Sequence, residues 1–202
     1  MLRDTLSGVS AGICIALGGS VFLATDNRVV GAVLFSVALL CICMKGYALF
    51  TGKVGFVPED HGRPALQLLL AGLLGNLIGT FLCGRLLRLG LPALSDAART
   101  ICAAKLTQAP AAALIRGVFC GILMYLAVSI WKERQSPLGI LFCIPVFILS
   151  GFEHSIADMF YFAVSGIVSL KAFVFLWLVI IGNALGAMLL PALQLWGKGA
   201  KA

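Results

Sequence analysis

Ser150-Gly151-Phe152-Glu153-His154-Ser155-Ile156-Ala157-Asp158 interrupts an apolar run that extends from about residue 137 to about residue 164. Glycine, two carboxylates, a histidine and two serines in so short a stretch do not continue an ordinary membrane helix. Hydrocarbon offers no partner for free backbone N–H and C=O groups, so irregular backbone is tolerated only where protein buries it or a water-filled cavity receives it. A second stretch, Lys45-Gly46-Tyr47-Ala48-Leu49-Phe50-Thr51-Gly52-Lys53, interrupts the run from about 29 to about 57 in the same manner. Paired broken helices mark the expected binding site of a transporter-like protein. Each half-helix that starts inside the membrane also presents about half a positive charge from its N-terminus, which favours anions there.

The surrounding chain supplies the membrane. Of 202 residues, 61% are hydrophobic and 11% charged, and the mean hydropathy is +1.07. A soluble domain carries about 25% charged residues, and a disordered one lacks this abundance of Leu, Ile, Val and Phe. A bilayer core about 30 Å thick takes about 20 apolar residues per helix. Apolar runs at about 6–25, 29–57, 65–90, 108–131, 137–164 and 169–196 therefore predict an all-α integral membrane protein of six transmembrane helices in a single domain over residues 1–202, with spans two and five broken. The apolar stretch 6–24 has no A-x-A cleavage site and reads as a retained first span rather than a signal peptide. Pro58–Pro64, Ser95–Lys105 and Lys132–Arg134 read as loops by composition. The net charge of +7 comes from scattered Lys and Arg, the pattern of loop charges beside spans and not of a nucleic-acid surface. Seven basic residues on one side, Lys201 among them, face six on the other, so charge bias does not orient the chain. The seven cysteines form no C-x-x-C and read as small apolar residues.

The two halves, about 6–90 and 108–196, echo one another. Gly75-Asn76-Leu77-Ile78-Gly79 recurs as Gly182-Asn183-Ala184-Leu185-Gly186 at an offset of 107, while Gly46-Tyr47 recurs as Gly151-Phe152 and Gly12 as Gly117 at an offset of 105. Three spans per half make the second half insert upside down, giving two inverted three-helix repeats with substrate passing between them.

The polar residues of the breaks are the site candidates. An acid at a helix centre costs about 2.5–3.5 kcal/mol on insertion scales, so Glu153 has to cap backbone or meet substrate. His154, flanked by the break, is the candidate for proton exchange or hydrogen bonding near neutral pH. Asp158 shares a helical face with His154 and is placed to hold the imidazole's tautomer, cap the break or raise the imidazole's basicity. Lys45 and Arg116 read as deep cations that snorkel, pair with Glu153 or Asp158, or draw anions inward. Thr51 and Ser155 offer hydroxyls to substrate or backbone. Leu49, Phe50 and Phe147 are candidate apolar constrictions. Asn76 and Asn183 are suited to hydrogen-bond the exposed backbone of the breaks, while the glycines around them permit close helix approach.

The run from Ser150 to Phe160 resembles the signature of the formate/nitrite transporter family. It is joined in order by Leu49-Phe50-Thr51, Gly75-Asn76, Gly117 with Leu126-Ala127-Val128, and Gly182-Asn183. The resemblance implies an aquaporin-like fold, a homopentamer with one pore per protomer, cytoplasmic termini in the cell membrane, and small monovalent anions such as formate, nitrite, hydrosulfide or lactate as substrates. It further implies that His154 is the central pore histidine, that Thr51 belongs to a mobile loop, and that Leu49, Phe50 and Phe147 are constriction positions. Arg116 lies near a pore-facing lysine of several members, and Arg85, Arg88, Arg99 and Lys105 would form an outer basic vestibule. Two positions depart from the pattern: Ala48 stands where Glu is usual, and Asp158 where Asn is usual. The chain is short for the family, so gating by terminal tails is not expected.

The expected function is thus a channel or proton-linked transporter for small monovalent anions, without cofactor or metal. A pore for neutral solutes such as water or ammonia is the alternative, opposed by the missing Asn-Pro-Ala motif and the surplus of cations. A hydrolase built on Ser150 or Ser155 with His154 lacks G-x-S-x-G. Two histidines far apart in sequence, with dispersed cysteines, make no metal or haem ligand set.

Overall fold

The computed structural model describes residues 1–199; Lys201 and the rest of the segment 200–202 lie outside the described residues. Helices form where the apolar runs predict them: α1 (Leu2–Ala24), α2 (Arg28–Lys45), a short α3 (Phe50–Lys53) continued by a 3₁₀ turn at Val54–Phe56, α4 (Arg63–Gly90), α5 (Pro92–Leu106), α6 (Pro110–Arg134), α7 (Leu138–Leu149), α8 (Ser155–Ser165) and α9 (Leu170–Gly199). Five of them, α1, α2, α4, α6 and α9, are long and apolar enough to cross a membrane, and α7 and α8 are shorter apolar helices. Leu17, Val37, Leu70, Phe142 and Phe173 lie exposed on the outer helix faces, as lipid-facing surface requires.

Where the sequence breaks, the helices stop in the same way twice. Gly46 (φ 69°) ends α2 and Gly151 (φ 71°) follows α7, the left-handed conformation that glycine adopts without a Cβ penalty. The next N–H reaches back five residues in each case, Tyr47 to the Ile42 carbonyl at 3.0 Å and Phe152 to the Phe147 carbonyl at 2.9 Å. That is the Schellman closure of a helix C-terminus. Tyr47-Ala48-Leu49 and Phe152-Glu153-His154 then run without helical structure until α3 and α8 begin.

Packing follows the internal echo as well. α1 lies along α4 and α6 along α9, and glycines set how close they come. A methyl on Gly75 would collide with the Thr5 carbonyl oxygen, and one on Gly186 with that of Val118. Every residue of α8 from Ser155 to Ser165 is buried, because α1, α4, α5 and α9 all pack on it. The core therefore sits around the second break.

Two expectations need correction. Lys132-Glu133-Arg134 is not a loop but the last turn of α6, where basic residues meet the negative end of the helix dipole. Ser95–Lys105 is not a loop but most of α5. Pro92 starts that helix, where its missing N–H does no harm, and Leu94, Ala98 and Cys102 bury one face against α8. Charged residues on the remaining faces gave the stretch a loop-like composition. The cysteines are all free; Cys102 and Cys120 are buried, whereas Cys41 is exposed.

Candidate functional site

Each break is held by one asparagine from a neighbouring helix. Asn76 of α4 accepts the Phe50 N–H on its Oδ1 (2.9 Å) and donates through Nδ2 to the carbonyls of Gly8 and Ala48 (2.9 Å each). Asn183 of α9 accepts the Ser155 N–H (2.8 Å) and donates to the carbonyls of Gly117 (2.9 Å) and Glu153 (2.8 Å). A carboxamide has both acceptor and donors on one planar end, so a single side chain ties the break to the N-terminal part of the adjacent long helix and starts the next short one. Leaving such groups buried without partners costs about 1–3 kcal/mol each.

The breaks meet at a polar bond. Thr51 Oγ1 lies 2.8 Å from His154 Nε2, and both residues are buried. His154 is also the N-cap of α8, its Nδ1 accepting the Ala157 N–H at 3.1 Å. A neutral imidazole that accepts at Nδ1 carries its hydrogen on Nε2, so the ring donates to Thr51 and leaves the threonine hydroxyl hydrogen free for another acceptor. Phe147 stacks on the imidazole (centroids 5.6 Å apart, planes at 19°) and meets Phe35 edge-on at 6.4 Å.

Two cavities flank this waist. The larger, about 750 Å³, runs along the N-terminal half of α2 and is lined by Arg28, Phe35, Lys105, Arg116, Phe147 and His154, among others. The smaller, about 240 Å³, lies along the C-terminal half of α2, between Leu39, Leu49, Lys53, Trp131 and Lys132. Phe35 and Leu39, one helical turn apart, therefore face different cavities. Leu49 closes the smaller from the waist and Phe147 the larger. Phe50, Thr51 and Ser155 line neither; the Ser155 hydroxyl is buried without a hydrogen-bond partner among the described residues.

The buried acids find a cation that the sequence had placed in a vestibule and not beside them. Lys105, at the end of α5, hydrogen-bonds Glu153 Oε2 and stands 2.9 Å from Asp158 Oδ1, while Gln108 donates to Glu153 Oε1 at 2.6 Å. Neither Lys45 nor Arg116 pairs with these acids among the described residues. Lys45 is exposed at the end of α2 and lines neither cavity. Arg116 is exposed toward the larger one, and its backbone carbonyl accepts the Glu153 N–H at 3.3 Å. Among the described residues the Glu153 carboxylate thus meets Lys105 and Gln108 and caps no backbone N–H. Of the four residues expected in a basic vestibule, only Lys105 lines the larger cavity; Arg99 bonds Asp96 and the Ser165 carbonyl, Arg88 packs on Gly166, and Arg85 borders a separate apolar groove.

Sequence reasoning named Lys105 for a vestibule but missed it as the partner of the buried acids, and missed Gln108 as a site residue and Phe35, Arg28, Lys53 and Lys132 as lining. A signal existed for Lys105: positions 94, 98, 102 and 105 fall on one helical face, so a lysine closing that stripe points inward with it.

Comparison with known proteins agrees with this architecture. The sequence profile of the formate/nitrite transporter family matches residues 2–197. The nitrite transporter NirC of Escherichia coli (strain K12) is 32% identical over 185 aligned positions, covering 79% of this chain and 67% of that protein. The uncharacterized transporter YwcJ of Bacillus subtilis (strain 168) is 30% identical, covering 82% and 72%. Among solved structures, an FNT family ion channel superposes with a TM-score of 0.79 at 25% identity, over 98% of this chain and 88% of that one. A pentameric formate channel with formate bound shares the fold, with a TM-score of 0.80 at 23% identity over 96% of each chain. These relatives are transporters and channels rather than enzymes, and this chain, a multi-pass helical membrane protein, belongs to the formate/nitrite transporter family.

Proposed function

We propose that the chain conducts a small monovalent anion through the waist between the two cavities, with His154 and Thr51 as the groups that meet it. The observation that carries this is the 2.8 Å bond between Thr51 Oγ1 and His154 Nε2, which joins the two breaks where the cavities approach one another. α2 with α3, and α7 with α8, each cross the bilayer as one interrupted span. With α1, α4, α6 and α9 they make six spans in two inverted halves. The protomer is one pore of a homopentamer in the cell membrane, with both termini in the cytoplasm. Relatives named for nitrite and formate support that substrate class.

Arg28 and Arg116 at one cavity and Lys53 and Lys132 at the other raise the local anion concentration. At the waist the free hydroxyl hydrogen of Thr51 reaches an anion oxygen, and the imidazole stabilises that hydroxyl from behind. Leu49 and Phe147 exclude bulk water, which makes a bare charge costly there. Protonation of a weak-acid anion before it passes removes that cost, so anion flux is accompanied by protons.

The test is flux of formate, nitrite, hydrosulfide, lactate and acetate into proteoliposomes, with a pH dye in the lumen. The expected result is anion entry with proton movement that falls at least tenfold in His154→Ala. Unchanged flux and pH dependence in that variant would remove the histidine's role. Passage of water or ammonia with no anion would replace the reading by a neutral-solute pore.

A further inference from the structure

The smaller cavity holds two cations and no acid. Lys53, the last residue of α3, and Lys132, in the last turn of α6, both line it, and among the described residues no carboxylate does. The two side chains are near enough to repel each other, yet neither enters an ion pair among the described residues. Lys132 rests instead on the face of Phe56, its Nζ 3.6 Å from the ring centroid; a ring face holds an ammonium in place and leaves its charge uncancelled. Glu59 and Glu133 stand around Tyr125, which packs on Phe56 with ring centroids 5.5 Å apart, but neither lines the cavity. The Trp131 carbonyl at the end of α6, a group that repels anions, is taken up by the Gln135 N–H at 2.8 Å and the Gln135 Nε2 at 3.1 Å. Gln135 holds a left-handed conformation (φ 52°) that glycine adopts more cheaply, and the side chain that glycine lacks makes the second of those bonds.

We propose that the smaller cavity binds a doubly charged tetrahedral oxyanion, sulfate or hydrogenphosphate, which Lys53 and Lys132 clamp between them and which plugs the pore on that side. This rests on the channel reading above. A monovalent anion balances one ammonium and leaves the other unbalanced. A dianion balances both, and its four oxygens accept charge-assisted hydrogen bonds from the two ammonium groups together. Attraction scales with the product of the charges, so each lysine pulls twice as hard on a dianion as on a monovalent anion at the same distance. The same double charge bars the ion from the waist, where a bare charge is already costly. Leu49 lines the cavity on its waist side, so the bound ion occupies the path and cannot complete it.

The test sets sodium sulfate against sodium chloride at equal ionic strength, with full-length wild type, Lys53→Gln, Lys132→Gln and, as a control, Lys45→Gln, since Lys45 lines neither cavity. In detergent, calorimetric titration should show sulfate binding to wild type and to Lys45→Gln, with affinity lower by about tenfold in each of the other two. In phosphatidylcholine proteoliposomes with sulfate on both sides, formate flux should be inhibited, and the sulfate concentration for half inhibition should rise about tenfold in Lys53→Gln and in Lys132→Gln. Equal sulfate affinity in all four forms, or no sulfate binding to wild type, overturns the inference. Binding without inhibition overturns the plug. Inhibition by phosphatidic acid placed in the bilayer, with none by sulfate, gives the lysines to a lipid phosphate and overturns the free ion. If no form transports any anion, the channel reading fails instead, and the titration in detergent still decides whether the site exists.

Discussion

The two breaks share a backbone plan and differ in everything their side chains do. Each follows a left-handed glycine, Gly46 or Gly151, and each is gripped by an asparagine that accepts one N–H and donates to two carbonyls. At matching positions the first carries Ala48 and Leu49 and the second Glu153 and His154. Ala48 gives its N–H to the Ser7 hydroxyl at 3.0 Å; Glu153 gives its N–H to a backbone carbonyl and its carboxylate to Lys105 and Gln108. Leu49 starts α3 with no side-chain cap, whereas His154 caps α8. The two breaks thus share a scaffold, and the polar chemistry sits on one of them. The apolar break bounds the smaller cavity and the polar break the larger.

The largest effect expected is on the polar copy. Lys105→Met leaves Glu153 and Asp158 buried without their cation and should lower unfolding free energy by about 4 kcal/mol, since breaking a buried ion pair costs about 3–5; denaturation in detergent measures it. A loss below 1 kcal/mol would mean that the acids are not held by this lysine. Next come the two asparagines. Asn76→Ala and Asn183→Ala each orphan one N–H and two carbonyls, so each should lose about 3 kcal/mol, and a large inequality between them would break the equivalence of the two copies.

Thr51→Val strips the acceptor from His154 Nε2 and should cost about 1–2 kcal/mol, that of one buried donor left unpaired. It should also slow anion flux while leaving the fold intact by circular dichroism. The smallest effects belong to the two turns. Gly46→Ala and Gly151→Ala meet no steric obstacle, yet each forces a Cβ into the left-handed region, for about 1 kcal/mol apiece. Thermal unfolding of the pair should give matching shifts; a shift confined to Gly151→Ala would show that the polar break alone limits stability.

Much of this was legible before any coordinates. The run of polar residues around His154 could not be ordinary membrane helix, and its counterpart around Ala48 lay at a constant offset, so two breaks and two asparagines followed from spacing. Backbone that cannot be satisfied by hydrocarbon has to be satisfied by polar side chains, and Asn76 and Asn183 were polar residues at repeated positions in apolar runs. Of the roles offered for Lys45 and Arg116, only pairing with Glu153 or Asp158 is absent among the described residues, since depth estimated along a span does not say which way a side chain points. α5 was misjudged because composition reports the charged faces of a helix as readily as a loop.

The sequence by itself determined the membrane class, the positions of the breaks and the glycines and asparagines that make them, because hydropathy, helix termination and backbone satisfaction act over a few residues. Only the tertiary structure decided which groups meet across the chain: Thr51 with His154, 103 residues apart, and Lys105 with Glu153, 48 residues apart. Those pairings depend on how α5 and the two breaks dock against α8. A buried charge takes whichever partner the packing brings within reach, and the packing brought Lys105 to both acids.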